Sequence, residues 1–433
     1  MSTAPVGGAA GPLRYAERVN PGALEELGQR VRTASRLVAR SSSAVRDEAL
    51  GHAAELLVAE AGAVLAANRE DLARAEAAGA GPTALDRLRL SEARVAAMGE
   101  GLRTVAGLPD PVGEVLDGWV RPNGLAVSRV RVPLGVVGVI YENRPNVTSD
   151  AAALCLKAGN AAFLRGSASA LSSNQAVVSV LGRSLAKVGL PAEAVTLLED
   201  TSHETAVAFM RLRGVIDCLI PRGGPALIAS MLEHATVPYV LDGDGNCHVY
   251  VDAAADLEMA ERIVVNAKTQ RPGVCNAAES ILVHRAVAET FLPKVAAALE
   301  GVELVGDQAV RALVPGAGPA TVEDFGTEFL ALRASVAVVE DLDGAIAHIA
   351  RYGSGHSEAI VTADLAAAER FVAEVDAAAV VVNASTRFVD GAELGLGAEV
   401  GISTQKLHAR GPMGLRELTC VKWVVRGDGQ VRS

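Results

Sequence analysis

The chain has 433 residues, 50% of them hydrophobic, 21% charged and 3% aromatic, with a formal net charge of −11. The apolar share is enough for a large buried core and excludes a disordered chain, and an acidic, aromatic-poor chain excludes a general nucleic-acid binder. Five scattered cysteines exclude a disulfide framework and point to reduced thiols in a cytosol-like compartment.

The length predicts roughly three domains or subdomains. No run of about 18 uncharged apolar residues predicts a membrane span. The first 20 residues lack the basic start and apolar block of a secretory signal and read as a loose extension. Residues 23–106 read as helices, because Leu, Ala and Val recur at three- and four-residue spacing. Gly79, Gly81 and Pro82 break this block, Thr83 or Ser91 can cap the next helix, and the segment from Gly107 to Pro111 ends it. Residues 116–133 read as a hairpin, with Asn123-Gly124 as a two-residue turn and LAVSRVRV alternating apolar and polar. A lone hairpin is marginal in water, so this one is expected to lean on another domain or another subunit.

From residue 135 the period changes. GVVGVI (135–140) reads as a strand buried on both faces. A helix is expected from Thr148 to Lys157, with Thr148, Ser149 and Asp150 available as caps. Strands at 161–165, 194–198, 215–220 and 237–241 then alternate with helices at 169–187, after Ser202, and at 225–234. That alternation predicts a doubly wound parallel sheet. A second α/β series begins with a helix through Asn266, then has strands at 279–284, 335–340, 358–362 and 378–383. Its further helices lie at 286–299, 343–351 and 364–375. The glycine-rich tail from 385 ends in LTCVKWVV (418–425), an edge or exchanged strand. No fixed-period repeat is visible.

The most informative segment is NAKTQRPGVCNAAES (266–280). Cys275 lies in a turn between an apolar helix and an apolar strand, with Lys268 and Arg271 as nearby positive charge. A reactive thiolate needs a lowered pKa and exposure, and the Asn276 N–H just past the thiol suits a developing oxyanion. The alternative is a buried structural cysteine, which is the expectation for Cys155, Cys218 and Cys420 in their apolar runs. Cys247, beside Gly243, Gly245 and Asn246, stays open. His203, His234, His284, His348, His356 and His408 show no metal-ligand spacing and the cysteines form no C-x-x-C, so no metal is expected.

Two strand-to-helix connections have the chemistry of a dinucleotide site. Arg165-Gly166-Ser167 comes after a strand that no acidic residue closes; arginine there suits a 2′-phosphate, so NADP is expected rather than NAD. Pro221-Arg222-Gly223-Gly224 precedes a helix, and glycines at a helix N-terminus form an anion site for a pyrophosphate. A plain connection is the alternative reading.

Together with VPLGVVGVIYENRPNVTSDAA (132–152), EDFGTEFLALRASVAVVEDLDGAIAHI (323–349), VNASTRF (382–388) and LGAEVGISTQKLHARGPMGL (396–415), the Cys275 segment resembles the γ-glutamyl phosphate reductases of the aldehyde dehydrogenase superfamily. The resemblance runs from about residue 20 to the C-terminus. It implies an α/β, aldehyde-dehydrogenase-like fold of two doubly wound parallel-sheet domains plus a β oligomerisation arm. It divides the chain into an NADPH-binding domain (1–115 and 134–254), a catalytic domain (255–384), and a hairpin and tail for oligomerisation (116–133 and 385–433). It implies reduction of L-glutamyl 5-phosphate by NADPH to L-glutamate 5-semialdehyde, with release of phosphate, in cytoplasmic proline biosynthesis. Cys275 would be the nucleophile that forms a thioester. Lys268 and Arg271 are candidates to face the phosphate by position alone; solvated loop charge is their plain role.

Glu328 aligns with the glutamate that holds the nicotinamide ribose. Asn143 and Asn146 both lie near the superfamily's oxyanion asparagine. Arg144 and Arg387 suit the substrate α-carboxylate, or form structural ion pairs. Where hydrolytic members carry a glutamate base, this chain has Asp242 and Asp244, which suits an enzyme that must not hydrolyse its thioester; for Asp244, turn chemistry serves equally. The resemblance further implies a homodimer or dimer of dimers, and names glutamate 5-kinase as a partner that could hand over an unstable acyl phosphate. The nearest rivals are a superfamily member using a CoA thioester or free aldehyde, and an inactive scaffold for that kinase.

Overall fold

The computed structural model describes residues 21–241 and 243–432. The extension expected at the start and Asp242 lie outside the described residues.

Five helices open the chain: α1 (Pro21–Val38), α2 (Ser43–Ala59), α3 (Ala61–Ala77), α4 (Pro82–Leu88) and α5 (Glu92–Ala106). The hairpin strands β1 (Val115–Val120) and β2 (Ala126–Pro133) come next. The first α/β series is β3 (Val136–Tyr141), α6 (Asn146–Lys157), β4 (Ala161–Arg165), α7 (Leu171–Lys187), β5 (Val195–Leu197), α8 (His203–Phe209), β6 (Cys218–Arg222) and α9 (Pro225–His234). The second starts with β7 (Cys247–Val251), α10 (Leu257–Thr269), β8 (Ala278–His284), α11 (Arg285–Ala298), β9 (Glu303–Gly306), α12 (Gln308–Leu313), β10 (Gly318–Pro319) and α13 (Val322–Phe325). It continues with β11 (Arg333–Val339), α14 (Leu342–Tyr352), β12 (Ser357–Val361), α15 (Leu365–Glu374) and β13 (Ala379–Val382), and the tail adds β14 (Ile402–Ser403), β15 (Gly411–Pro412) and β16 (Thr419–Arg426).

The first parallel sheet has the order β5-β4-β3-β6. Every residue of β3 is buried, because its side chains alternate between two cores. Val137, Val139 and Tyr141 pack with α2, α5, α6 and α7, while Val136 and Ile140 pack with Phe163, Phe209 and Met231 on the other face. The second parallel sheet has the order β10-β9-β11-β8-β7-β12-β13. Its two faces carry separate cores, one around Val249, Ile281 and Phe291 and one around Tyr250, Leu282 and Phe371. Among the described residues no single helix is long and apolar enough to cross a membrane.

Several expectations need correction. The stretch at 237–241 is not a strand; it makes one isolated bridge, between Tyr239 and Leu219. Strand β7 (within the stretch expected to close the first domain at 254) pairs with β8 and β12 and so belongs to the second sheet. Helix α6 begins at Asn146, which places Thr148, Ser149 and Asp150 inside it rather than at its cap. Thr148 instead meets the buried Tyr141 hydroxyl at 2.7 Å. Ser91 does cap α5, its hydroxyl accepting from the Arg94 N–H, whereas Thr83 lies inside α4 behind a Gly81 cap. The hairpin turn spans Arg121–Leu125, not two residues, with Gly124 at a φ of 88°. Its partner is the chain's own C-terminus: β16 runs antiparallel to β2 from Thr419↔Pro133 to Arg426↔Ala126.

Candidate active site

Helix α10 starts at an Asp256 cap and buries one stripe: Ala260, Ile263, Val264, Ala267 and Lys268. The spacing is that of a helix face packed on a sheet. Lys268 therefore points into the core, where its Nζ donates to Glu279 Oε2 at 2.5 Å. Both residues are 0% exposed. This corrects the reading of Lys268 as a loop cation facing phosphate. Burial pushes the Glu279 carboxyl up to about 7 against the pull of Lys268, and holds the Lys268 ammonium below its ordinary value.

Between α10 and β8 the chain makes the turn that carries Cys275, whose side chain is half-buried. The backbone of this turn is held from several sides. The Cys247 thiol donates to the Cys275 carbonyl at 3.1 Å. Gly245 lies against the same carbonyl so closely that a Cβ there would overlap it. The Asn276 amide donates to Val389 O at 2.9 Å, and its carbonyl accepts from the Thr386 hydroxyl at 2.7 Å. The Gly245 N–H in turn donates to Glu328 Oε1 at 2.9 Å, which joins Glu328 to the cysteine turn. Cys247 is buried, and burial raises its thiol well above the ordinary range. Burial likewise raises Cys155 and pushes Cys218 up to about 12, so both are inert core thiols. Cys420, expected in a core, is exposed on β16.

Two arginines share this neighbourhood. Arg387 donates from Nε to Gln270 Oε1 at 2.8 Å, and Gln270 directly precedes the exposed Arg271. Burial holds the Arg387 guanidinium below its ordinary value; Asp390 and Cys275 oppose that and Arg271 adds to it. Arg387 therefore sits within the field of both Arg271 and the cysteine. Asp244 is exposed in the loop before Gly245.

A second cluster lies at the first sheet. After β3 the winding goes outward through β4 to β5 and returns on the other side of β3 as β6. The direction switches between β3 and β6, and open α/β sheets bind ligands beyond the carboxyl ends of the strands at such a switch point. Those ends carry Glu142 and Asn143 on one side and Arg222, Gly223 and Gly224 on the other. The Gly224 N–H, at the start of α9, donates to Glu142 Oε2 at 3.0 Å. Asn143 has a φ of 31°, and its Oδ1 accepts from the Ser167 hydroxyl at 3.0 Å and from Ser169. Its Oδ1 is thus held by two serine hydroxyls of the same fold. Asn146 is exposed and donates its amide to Asp150 Oδ2 at 2.9 Å. Arg165 donates to the carbonyls of Thr201 at 2.7 Å and Ser202 at 3.1 Å. Burial lowers its guanidinium, with Asp200 and Glu142 opposing. Arg144 is exposed beside this loop.

The sequence profile of the aldehyde dehydrogenase family matches residues 27–319. γ-Glutamyl phosphate reductase of Carboxydothermus hydrogenoformans is 56% identical over 409 residues, 94% of this chain and 99% of that one. The Moorella thermoacetica enzyme of the same name is 54% identical, covering 95% and 99%. The chain belongs to the γ-glutamyl phosphate reductase branch of the aldehyde dehydrogenase family. The crystal structure of γ-glutamyl phosphate reductase from Thermotoga maritima superposes on it with a TM-score of 0.93 at 47% identity, covering 95% of this chain and 100% of that one. A more distant aldehyde dehydrogenase, from Listeria monocytogenes, shares the fold at a TM-score of 0.70 and 16% identity, covering 95% and 97%.

Sequence reasoning missed Glu279 and Glu142 and left Cys247 undecided. Glu279 announces itself as a lone acid in the apolar run AESILVH. Glu142 has no local signal, because its partner Gly224 is 82 positions away. Cys247 stays open in the sequence, since no spacing says that its thiol meets the Cys275 carbonyl. Among the described residues no group of His, Cys, Asp and Glu is arranged to hold a metal ion.

Proposed function

We propose that the chain reduces L-glutamyl 5-phosphate to L-glutamate 5-semialdehyde with NADPH and releases phosphate, the reductive step toward proline. The observation that carries this is the half-buried Cys275 thiol, on a turn braced by Gly245 and Cys247, in the field of Arg387 and four positions after Arg271.

Two arginines favour the thiolate and attract a doubly charged phosphoryl group. The Cys275 sulfur bonds to the acyl carbon, and the bond from that carbon to the phosphate oxygen breaks, its electron pair leaving with phosphate. Arg271 meets the departing phosphate. Arg387, already bidentate in shape, meets the substrate α-carboxylate, with Arg144 as the second candidate. Asn143 serves the developing oxyanion, because its Oδ1 is held by two serine hydroxyls and its amide N–H groups remain, whereas the Asn146 amide is engaged by Asp150. NADPH, when bound, supplies the hydride that reduces the thioester. The carbon–sulfur bond then breaks, releasing the aldehyde and restoring the thiolate. No glutamate stands in residues 240–252, where hydrolytic members carry their water-activating base, so the thioester persists until it is reduced.

The chain's own residues fit such a cofactor. The Gly224 N–H at the α9 N-terminus already holds a carboxylate, and a position that accepts one anion accepts a pyrophosphate oxygen. Gly223 and Arg222 flank it, Arg165 ends the neighbouring β4 and Ser167 follows it, with Arg165 as the charge for a 2′-phosphate and Glu328 as the partner for the nicotinamide ribose. Reduced thiols suit a cytoplasmic setting. The exposed apolar residues of the β1-β2-β16 sheet suit pairing of two or four copies.

Oxidation of glutamate 5-semialdehyde by NADP tests the reading. The rate should depend on added phosphate; a rate that depends on CoA instead refutes it. Cys275→Ala should lower turnover by about 10³-fold or more while melting and NADPH binding stay unchanged. Mass spectrometry without reductant should find the acyl group on Cys275.

A further inference from the structure

The catalytic steps leave one buried charged pair unused. Lys268 lies at the end of α10 and Glu279 at the start of β8, so the pair closes the base of the loop that presents Cys275. Glu279 has a second engagement: its Oε1 accepts the Leu330 N–H at 3.2 Å. Leu330 has a φ of 53°, a left-handed conformation that a leucine keeps only when its surroundings hold it. Two residues earlier, Glu328 accepts from Gly245, and Gly245 lies on the Cys275 carbonyl. One continuous set of contacts thus runs from Lys268 through Glu279, Leu330, Glu328 and Gly245 to Cys275. Lys268 is also the cation felt by both carboxylates, Glu279 and Glu328.

Charge is not the usual means of stabilising a core. A buried ion pair is a weak stabiliser, and well-packed apolar residues of similar volume do as well or better. What a carboxylate adds is two directional acceptors, one for the ammonium and one for a strained backbone N–H. We infer that the Lys268–Glu279 pair is a positioning device that fixes the Glu328 loop over the nucleophile turn, and so sets the nicotinamide against the thioester carbon. The inference rests on the proposed roles of Cys275 and Glu328.

The test separates stability from alignment. In K268M/E279M the charges are replaced by apolar groups and the melting temperature should hold, but the Leu330 N–H loses its acceptor. The NADPH dissociation constant, read by fluorescence, should rise about tenfold. The KM for NADPH should rise with it, and the isotope effect from 4-deuterated NADPH on kcat should grow. Alkylation of Cys275 should stay within twofold of wild type. K268M/E279Q, whose amide oxygen again accepts from Leu330, should restore cofactor binding to within about threefold. Should the first variant fail to fold, hydrogen exchange on wild-type protein reads the same contact: the Leu330 amide, on an exposed loop residue, should be protected by the buried Glu279 carboxylate. Wild-type cofactor binding and isotope effect in K268M/E279M, or free exchange of the Leu330 amide in wild-type protein, would overturn the inference, as would a loss confined to melting temperature. If wild-type protein fails to reduce glutamyl phosphate, the proposed function falls, while the fluorescence series still decides whether the pair positions the cofactor loop.

Discussion

Gly245 carries no side chain, and the site depends on that. Any Cβ at this position would collide with the Cys275 carbonyl, so Gly245→Ala must displace the Cys275 turn or the Glu328 contact. A displacement near 1 Å at a reacting group costs about 10²-fold in rate. Steady-state kinetics of Gly245→Ala should show that loss in kcat while circular dichroism stays native. His356 gives a pH prediction. It is fully buried near Cys247, and burial lowers its pKa to about 4. The folded value lies below the unfolded value, so between about pH 6.5 and 4 the unfolded chain binds a proton that the folded chain does not. Stability is complete above pH 6.5 and falls with acid across that window, by about 1.4 kcal/mol per pH unit for this group. His348, also lowered to about 4 by burial, acts in the same direction. Urea unfolding of His356→Leu at pH 7, 6 and 5 should show a shallower slope than wild type. At this scale the sequence was readable where periodicity was heeded. Lys268 completes the 260-263-264-267-268 stripe, and the stripe was the better guide than the charge.

At the scale of elements, the start of α9 is occupied by the chain itself. The Glu142 carboxylate sits on the Gly224 N–H, and Gly223 is free of any Cβ that would push it away. A pyrophosphate arriving there has to displace that carboxylate. Glu142→Ala should therefore tighten NADPH binding by about threefold, measured by fluorescence titration; weaker binding would instead make Glu142 a direct cofactor contact. The strand-to-helix turn itself was legible from Pro221 to Gly224, because glycine and proline punctuate locally. Its occupant was not, because β3 and β6 become neighbours only in the folded sheet. The same limit explains β9, α12 and β10 at 303–319, which are too short to show a period.

At the scale of the whole molecule, the three-stranded β1-β2-β16 sheet stands out. Trp119 and Trp423 meet edge to face at 5.7 Å, Arg129 lies over Trp423, and yet Trp423 is 58% and Val120 71% exposed. Grouped exposed apolar side chains on a sheet mark a contact surface. Light scattering should return a multiple of the single-chain mass, and Trp423→Ser should shift the population toward the single chain with the two parallel sheets intact. A wild-type protein of single-chain mass would sink the assembly and leave the catalytic reading untouched.

The sequence by itself determined that two α/β series come after a helical block, that a hairpin separates that block from them, and that Cys275 stands in a turn between helix and strand. These are properties of neighbours in the chain: hydrophobic period, turn residues and caps act over a few positions. Only the tertiary structure decided that β7 belongs to the second sheet, that β16 completes the hairpin, that Lys268 pairs with Glu279, and that Glu142 rests on α9. Each of these is a hydrogen bond or ion pair set by which elements pack side by side. A local period says that a strand is buried; it does not say against which partner.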